Sequence, residues 1–254
     1  MDFSGFSVEL FLFSIAVVAG FIDTLAGGGG LITMPALLVS GVPPLATLGT
    51  NKLQGSMGTA MSTYMMLKNK RVHWHDIKYL MLFSFIGATL GAIVVQLINV
   101  DALTSVIPLV LLFIIIYFII SPKSHNVEHK AKISKFKYQY IVIPSIACYD
   151  GMFGPGTGSF FSLAGVSLRG HGFIDATAIA KGLNFSSNIA SLVVFLLAGQ
   201  VVWLVGITMM FGQAIGAWLG SHCLLRINPA YLRTVVVVMC LGMLLKYGFS
   251  IGWF

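Results

Sequence analysis

The chain has 254 residues, of which 57% are hydrophobic and only 9% are charged. A soluble globular domain carries about 25% charged residues, so this composition excludes a soluble protein and indicates an integral membrane protein. The formal net charge of +7 does not indicate nucleic-acid binding, because the basic residues cluster at 68–71 and 123–137, beside apolar stretches. Such loops are the orientation signals of the positive-inside rule.

Ten apolar elements are predicted, five in each half of the chain. A full helical span needs about 20 residues, so the short second element of each half cannot cross a bilayer alone. The first element has no basic residue before it and is expected to be retained in the membrane rather than cleaved as a signal. The elements lie at 6–25, 31–42, 45–67, 77–98 and 103–120, and then at 140–153, 159–168, 173–198, 203–225 and 233–251.

The two halves are similar in sequence, which predicts an internal repeat. The matches are Asp23, Gly27 and Gly29 with Asp150, Gly154 and Gly156 at an offset of 127 residues, 46–56 with 176–186 at 130, Trp74 with Trp203 at 129, Gly87, Gly91 and Ala92 with Gly212, Gly216 and Ala217 at 125, and 98–103 with 227–232 at 129. Five matches in one order predict two membrane copies, 1–120 and 140–254, joined by a basic cytoplasmic linker at 121–139. The paired glycines of the fourth elements are expected to allow close helix packing.

The distribution of basic residues predicts that the copies cross the membrane in opposite directions. In the first copy, Lys68, Lys70 and Arg71 follow the third element, whereas in the second copy Arg226 and Arg233 flank the turn after the fourth. The predicted fold is an all-α polytopic membrane protein with two inverted-topology repeats. Each repeat is a glycine-tipped broken-helix hairpin followed by three transmembrane helices, about eight transmembrane segments in all, with both termini outside the cytoplasm.

Each predicted hairpin breaks at glycines that follow an aspartate. Irregular backbone inside a bilayer must line protein or a wet cavity, and glycine lets bare amides approach a ligand. The N-terminus of the following short helix favours an anion. Asp23 and Asp150 are expected either to cap the broken helices or to couple transport to an ion. The substrate-binding candidates in these loops are Gly28, Gly29, Gly30, Gly154, Gly156 and Thr157.

Two lysines fall inside the third elements, in “GTNKLQGS” and “IAKGLNFSSN”. An ionisable residue inside a membrane segment is a functional hypothesis by default, and an ammonium group with amide donors suits an oxyanion without a metal. An alternative is that each lysine neutralises an aspartate of its own half, Lys52 with Asp23 or Lys181 with Asp150. The binding candidates here are Lys52, Asn51, Gln54, Lys181 and Asn184.

The segments “GFIDTLAGGGGLITMPALL”, “ATLGTNKLQG” and “DGMFGPGTGSF” resemble the TauE/SafE (sulfite exporter, DUF81) family of bacterial membrane transporter proteins. The resemblance covers nearly the whole chain. It implies a multi-pass carrier of the bacterial inner membrane for a small sulfur-containing or organic anion, such as sulfite or a sulfonate.

The expected function is therefore secondary transport of a small anion by alternating access. An anion channel is the alternative, and a membrane-embedded enzyme or an assembly protein is less favoured. No enzyme is expected, because common signatures such as HExxH and GxSxG are absent from the sequence. The expected partners are a small anionic solute and the lipid bilayer, with a homo-oligomer left open. No nucleic acid, cofactor or metal is expected.

Overall fold

The computed structural model describes the backbone of residues 5–120, 130–223 and 229–250, and these residues form helices and turns with no strand. A π-helical turn, Tyr138–Val142, joins α6 to α7. The fold is all-α, as predicted. The helices are α1 (Gly5–Ala26), α2 (Gly30–Val39), α3 (Pro44–Lys68), α4 (Trp74–Gln96), α5 (Val100–Ile120), α6 (Lys135–Lys137), α7 (Ile143–Met152), α8 (Thr157–Arg169), α9 (Phe173–Leu197), α10 (Trp203–Cys223) and α11 (Pro229–Ser250).

The predicted elements correspond to these helices, with boundaries that shift by a few residues. For example, α2 ends at Val39 rather than at residue 42, because Gly41 has a left-handed φ of 83° and a proline pair follows it. Part of the predicted linker, residues 121–129, lies outside the described residues. So do Arg226, the side chain of Arg233 and the two chain ends, on which the predicted topology also depends.

Four helices in the described ranges are long and apolar enough to cross a membrane: Val8–Ala26, Trp74–Gln96, Phe173–Leu197 and Trp203–Cys223. Helices α2 and α8 have 10 and 13 residues, so both are too short to span alone. Helix α3 has 25 residues but carries a buried polar stripe along most of its length. Length and composition therefore define a multi-pass membrane protein whose central helices are partly polar.

Glycines allow two pairs of helices from opposite halves to pack with their backbones in contact, α4 on α7 and α10 on α1. A Cβ added to any of four glycines would meet a carbonyl oxygen of the facing helix. The pairs are Gly87 with Pro144, Gly91 with Cys148, Gly216 with Val17 and Gly220 with Phe21. The expected packing role of the paired glycines is confirmed.

These contacts correct the predicted alignment of the fourth elements. Gly87 occupies the place that Gly216 has in the other half, and Gly91 the place of Gly220, an offset of 129 residues instead of 125. The prediction that matched Gly87 with Gly212 was wrong by one helical turn. The error arose because a small residue recurs every four positions along this face of α10, so the sequence offers several equivalent registers.

The central helices α3 and α9 show the same correspondence. A Cβ on Gly182 of α9 would lie 2.9 Å from Ile77 Cδ1 of α4, and a Cβ on Gly206 of α10 would lie 2.6 Å from Leu53 Cδ2 of α3. These reciprocal contacts match Leu53 with Gly182 at an offset of 129, so the predicted match of 46–56 with 176–186 at 130 was wrong by one residue. Lys52 and Lys181, the preceding residues, therefore occupy corresponding positions.

Candidate functional site

The two helix breaks meet in the structure. Gly27, with a left-handed φ of 75°, follows α1, and a Cβ on Gly158 at the start of α8 would lie 2.9 Å from its Cα. Ser159 Oγ donates a hydrogen bond to the carbonyl oxygen of Ala26. A Cβ on Gly30 would lie 3.2 Å from the Cα of Pro155. A side chain at Gly27 or Gly158 would overlap the backbone of the facing hairpin, so these two glycines serve the contact between the hairpins.

A polar cavity of about 380 Å³, measured as space outside protein atoms, lies beside this crossing. Thirteen candidate residues were predicted, counting Asp23 and Asp150. Ten of them line the cavity, whereas Gly28, Lys52 and Lys181 do not. Sequence reasoning did not assign Gly27, Gly55, Gly158, Asn188 and Gln213 to the site. The lining residues are Asp23, Gly27, Gly29, Gly30, Asn51, Gln54, Gly55, Asp150, Gly154, Gly156, Thr157, Gly158, Asn184, Asn188 and Gln213.

Buried amide side chains of α3 form one side of the cavity. Asn51 Oδ1 accepts a hydrogen bond from Thr33 Oγ1 at 2.7 Å and another from Gln54 Nε2 at 2.7 Å. Because its oxygen is occupied, the Asn51 NH₂ group remains available as a donor. Asn51 Nδ2 lies 3.7 Å from where a Cβ of Gly30 would be. A hydrogen-bond donor therefore lies next to the first hairpin tip.

Helix α9 supplies a corresponding donor to the second hairpin tip. Asn188 Nδ2 donates to Asn184 Oδ1 at 3.2 Å. Asn184 Nδ2 lies 3.4 Å from where a Cβ of Gly158 would be. Asn184 and Asn188, one helical turn apart on α9, share a face of the helix that lines the cavity.

Gln213 of α10 is a wall residue that the sequence analysis did not single out. Its side chain is 3% exposed, and its Oε1 lies 2.8 Å from the Cβ position of Gly20 and 2.6 Å from that of Gly58. The two glycines make room for the amide between α1 and α3. One signal was present: Gln213 is a polar residue directly after Gly212 in an apolar helix, which in a membrane segment indicates a bundle-facing role.

Two helix N-termini point backbone donors at the cavity. Gly30 opens α2 and Gly158 lies in the first turn of α8, and both line the cavity. The first N–H groups of a helix have no intrahelical acceptor, and the helix dipole adds partial positive charge there. The N-cap residues Gly29 and Gly156 have no side chain to cap these helices, although Asp23 Oδ1 accepts the N–H of Gly29 at 3.1 Å. The cavity thus combines backbone and amide donors, a set that suits an oxyanion.

Both buried lysines pair with an aspartate of the opposite half. Lys52 Nζ lies 2.9 Å from Asp150 Oδ1, with side-chain exposures of 1% and 2%. Lys181 Nζ lies 3.2 Å from Asp23 Oδ2, with exposures of 1% and 14%. The predicted pairing within each half was therefore wrong. It failed because the two hairpin tips cross, with Gly27 against Gly158, so that each loop lies beside the central helix of the other half; the Cβ position of Gly154, for example, is 3.0 Å from Lys52 Nζ.

The two ion pairs differ in their hydrogen bonds. Lys181 also donates to the backbone oxygen of Asp23, and Asp23 Oδ1 accepts from the Gly29 N–H at 3.1 Å. In the described part of the chain, Lys52 Nζ is not aligned for a hydrogen bond despite its 2.9 Å ion pair, and Asp150 Oδ2 is buried with no partner. Buried polar atoms normally have one, so the Lys52–Asp150 pair is incompletely satisfied.

Broken helices that meet over a polar cavity, in a chain with several apolar spans, define an α-helical multi-pass membrane protein of the transporter class. The model of the sulfite exporter TauE/SafE family matches residues 12–247. The chain belongs to this family, as the resemblance predicted.

Curated relatives carry transporter names. A “Probable membrane transporter protein” of Haemophilus influenzae is 41% identical over 250 residues, which cover 98% of this chain and 98% of the relative. “Probable membrane transporter protein ORF9” of Sinorhizobium is 40% identical over 95% of this chain and 92% of its own. “Probable membrane transporter protein YfcA” of Escherichia coli K12 is 39% identical over 90% and 85%. No solved structure matches the chain.

Proposed function

We propose that this protein is a secondary transporter that moves a small anion, namely sulfite, an organosulfonate or another organic anion, across the bacterial inner membrane by alternating access. The observation that carries the proposal is the donor-lined cavity at the crossing of the two broken hairpins. The family and the names of its relatives support transport rather than catalysis.

The proposed mechanism uses two inverted repeats, residues 1–120 and 140–254, that rock against each other around the cavity. Reciprocal contacts support this arrangement, since α4 packs on α7 as α10 packs on α1. An odd number of crossings in each repeat places the repeats in opposite orientations: three if the broken hairpin is re-entrant, or five if both of its helices cross. The eight segments expected from the sequence would give four per repeat, which does not satisfy this condition. The same topology puts both termini outside the cytoplasm.

We assign anion binding to the amide groups of Asn51, Gln54 and Asn184 and to the glycine N–H groups at the hairpin tips. The glycine-loop candidates Gly28, Gly29, Gly30, Gly154, Gly156 and Thr157 shape or face these tips. Lys52 and Lys181 contribute by balancing the aspartates, because an uncompensated carboxylate at Asp150 or Asp23 would repel an anion.

An anion channel would use the same polar wall, and the exchange of substrate separates the two functions. A carrier shows counterflow: an excess of unlabelled anion inside a vesicle drives uptake of labelled anion from outside. A channel only lets the labelled anion equilibrate with its electrochemical gradient.

The first test is a thermal-shift screen of the detergent-purified protein against sulfite, sulfate, thiosulfate, sulfoacetate, taurine, methanesulfonate and simple carboxylates. A ligand at 100 times its Kd stabilises the folded state by about 2.7 kcal/mol, which corresponds to about 5 to 10 °C for a chain of this size. We expect one of the anions to stabilise the wild type.

Two lysine variants of α3 make the screen specific. Lys52→Ala should abolish the shift, because it leaves the Asp150 carboxylate unbalanced at the cavity wall. Lys68→Ala, at the exposed end of the same helix, should keep the shift. A panel in which no anion stabilises the wild type, or in which Lys52→Ala responds as the wild type does, contradicts the proposed site.

A further inference from the structure

The sequence explains why only one of the two ion pairs is incompletely satisfied. In the first half, Gly29 donates its N–H to Asp23 Oδ1 at 3.1 Å. The aligned residue of the second half is Gly156, which has a left-handed φ of 78° and follows Pro155. The turn therefore differs from that of the first half: Pro155 has no N–H to donate, and among the described residues the Gly156 N–H makes no hydrogen bond to the Asp150 carboxylate. Asp150 Oδ2 is left without a partner among the described residues.

Few charged groups surround Asp150. Helix α3 contributes Lys52, whose Nζ lies 3.0 Å from where a Cβ of Gly154 would be. Helix α4 faces α7 with Ala88 and Ala92, which carry no charge. On its own helix, the Tyr149 hydroxyl is engaged, since it donates to the carbonyl oxygen of Pro155 at 2.7 Å.

The remaining elements around the cavity add one further pair of charges. Helix α9 brings Lys181 and α1 brings Asp23, and these two are paired with each other. Helix α8 contributes the uncharged Thr157 to the wall, and α10 the uncharged Gln213. Among the described residues, Lys52 is therefore the charged group that pairs with Asp150.

Charge balance then requires a partner for an incoming anion. With both ion pairs formed, the site has no net charge, and adding a monoanion would leave one uncompensated negative charge. The penalty for an unpaired ion in a buried site is several kcal/mol. A proton on Asp150 removes this excess charge and frees the Lys52 ammonium to attract the anion. Because Asp150 lies on the cavity wall, a proton that enters the cavity can reach the carboxylate once a small movement exposes its buried Oδ2.

We propose that Asp150 carries the proton that accompanies the anion, so that transport is electroneutral proton–monoanion symport, while the Asp23–Lys181 pair holds the first hairpin in place. This inference rests on the proposed transport function. The proton comes from water on the open side, binds Asp150 Oδ2, and leaves to water on the opposite side after the anion does. In this scheme the Lys52 ammonium balances the charge of Asp150 before the anion binds and the charge of the anion afterwards.

The test uses the full-length protein in liposomes, with methanesulfonate as the probe and sulfite in parallel. Methanesulfonate is suitable because it remains a monoanion between pH 5 and pH 9, so only the protein titrates. For the wild type, an imposed difference of one pH unit should accumulate methanesulfonate about tenfold, since one pH unit is a tenfold ratio of proton activity. A potassium diffusion potential set with valinomycin should not change the accumulation.

Asp150→Asn mimics the protonated carboxyl group. We expect it to lose the accumulation driven by the pH difference, and to exchange methanesulfonate at a rate that no longer depends on pH. Asp23→Asn is the matched variant: whatever transport it retains should still respond to the pH difference. If Asp150→Asn does not elute as a folded protein on gel filtration, Asp150→Asn with Lys52→Gln removes the pair without leaving a buried unpaired charge, and it should also lack pH-driven accumulation.

The outcomes separate the two levels of the argument. Absence of counterflow for both probes in the wild type removes the proposed function and this inference with it. Counterflow in the wild type together with pH-driven accumulation in either Asp150 variant overturns the inference alone. A wild-type protein that shows counterflow but no accumulation under the pH difference also overturns the inference. So does accumulation that follows the membrane potential. Either result leaves the proposed anion transport intact.

Discussion

Replacing Lys181 with methionine should strongly destabilise the protein. The ammonium group lies 3.2 Å from Asp23 Oδ2 and is 1% exposed, so the variant leaves a carboxylate without its counter-charge. At an effective dielectric constant of 20, two unit charges at this distance attract by about 5 kcal/mol. Removing one partner of a buried pair costs about 3 to 5 kcal/mol. For a chain of this length, such a loss lowers the melting temperature by about 6 to 20 °C.

A second variant isolates the ion pair from the rest of the side chain. Lys181→Met with Asp23→Asn removes both charges, and the amide oxygen of asparagine can still accept the Gly29 N–H that Asp23 accepts at 3.1 Å. Replacing both ions of a buried pair by neutral groups is often close to neutral. The double variant should therefore recover most of the melting temperature that the single variant loses.

The assay is fluorescence-detected gel filtration after heating, run in one detergent at one pH for all variants. A single variant that melts within 2 °C of the wild type would show that the pair contributes little. A double variant that melts no higher than the single one would show that Lys181 stabilises the fold by something other than the Asp23 carboxylate, such as its bond to the Asp23 backbone oxygen. Either result would refute the argument from charge balance.

Four further results are expected. Gly27→Ala should abolish folded protein, because the φ of Gly27 is 75° and a Cβ there would overlap the backbone of α8. Gly41→Ala is the control: its φ is 83° but the space around it is open, so the variant should lose only about 1 kcal/mol of stability on thermal melting. Equal losses in the two variants would show that the hairpin contact is unimportant. Burial raises the pKa of Tyr138, which lies outside the apolar spans, to about 12 from its ordinary 10.0. The contribution of Tyr138 to stability is therefore complete below pH 10 and falls by up to about 3 kcal/mol as the pH rises to 12. Tyr138→Phe should flatten this part of the profile of melting temperature against pH, and an unchanged profile would show that the phenol is ionised in the folded state. Gln213→Ala should reduce the thermal shift that the anion produces, measured against the variant's own melting temperature without anion, and an undiminished shift would remove Gln213 from the site. Reporter tags at both termini should map outside the cytoplasm, and a cytoplasmic C-terminus would exclude the inverted topology.

The helices and their breaks were predictable because their signals are local. Apolar runs set the helix lengths, and the glycine stretches after Asp23 and Asp150 marked the two breaks. Most of the cavity wall was also predictable, since polar residues in an apolar segment face the inside of a bundle. These signals need no knowledge of which helices are neighbours.

The contacts between halves were not predictable, because they depend on register and packing. A helix face with small residues at every fourth position fits its partner in several registers, which is why Gly87 was matched to Gly212 instead of Gly216. Each lysine pairs with the aspartate of the other half, and this pairing depends on how each hairpin packs against the other half. Gln213 was missed because one amide in an apolar helix has no periodic pattern around it.

The crossed ion pairs also have a consequence in time. A ribosome makes Lys52 about a hundred residues before it makes Asp150, a delay of about 5 to 20 s at ordinary rates of synthesis. Throughout this interval the lysine of the third helix has no counter-charge from the other half. We therefore expect the third helix of a nascent first half to stay outside the hydrocarbon or shielded by the insertion machinery, and to reach its final depth when the second half arrives.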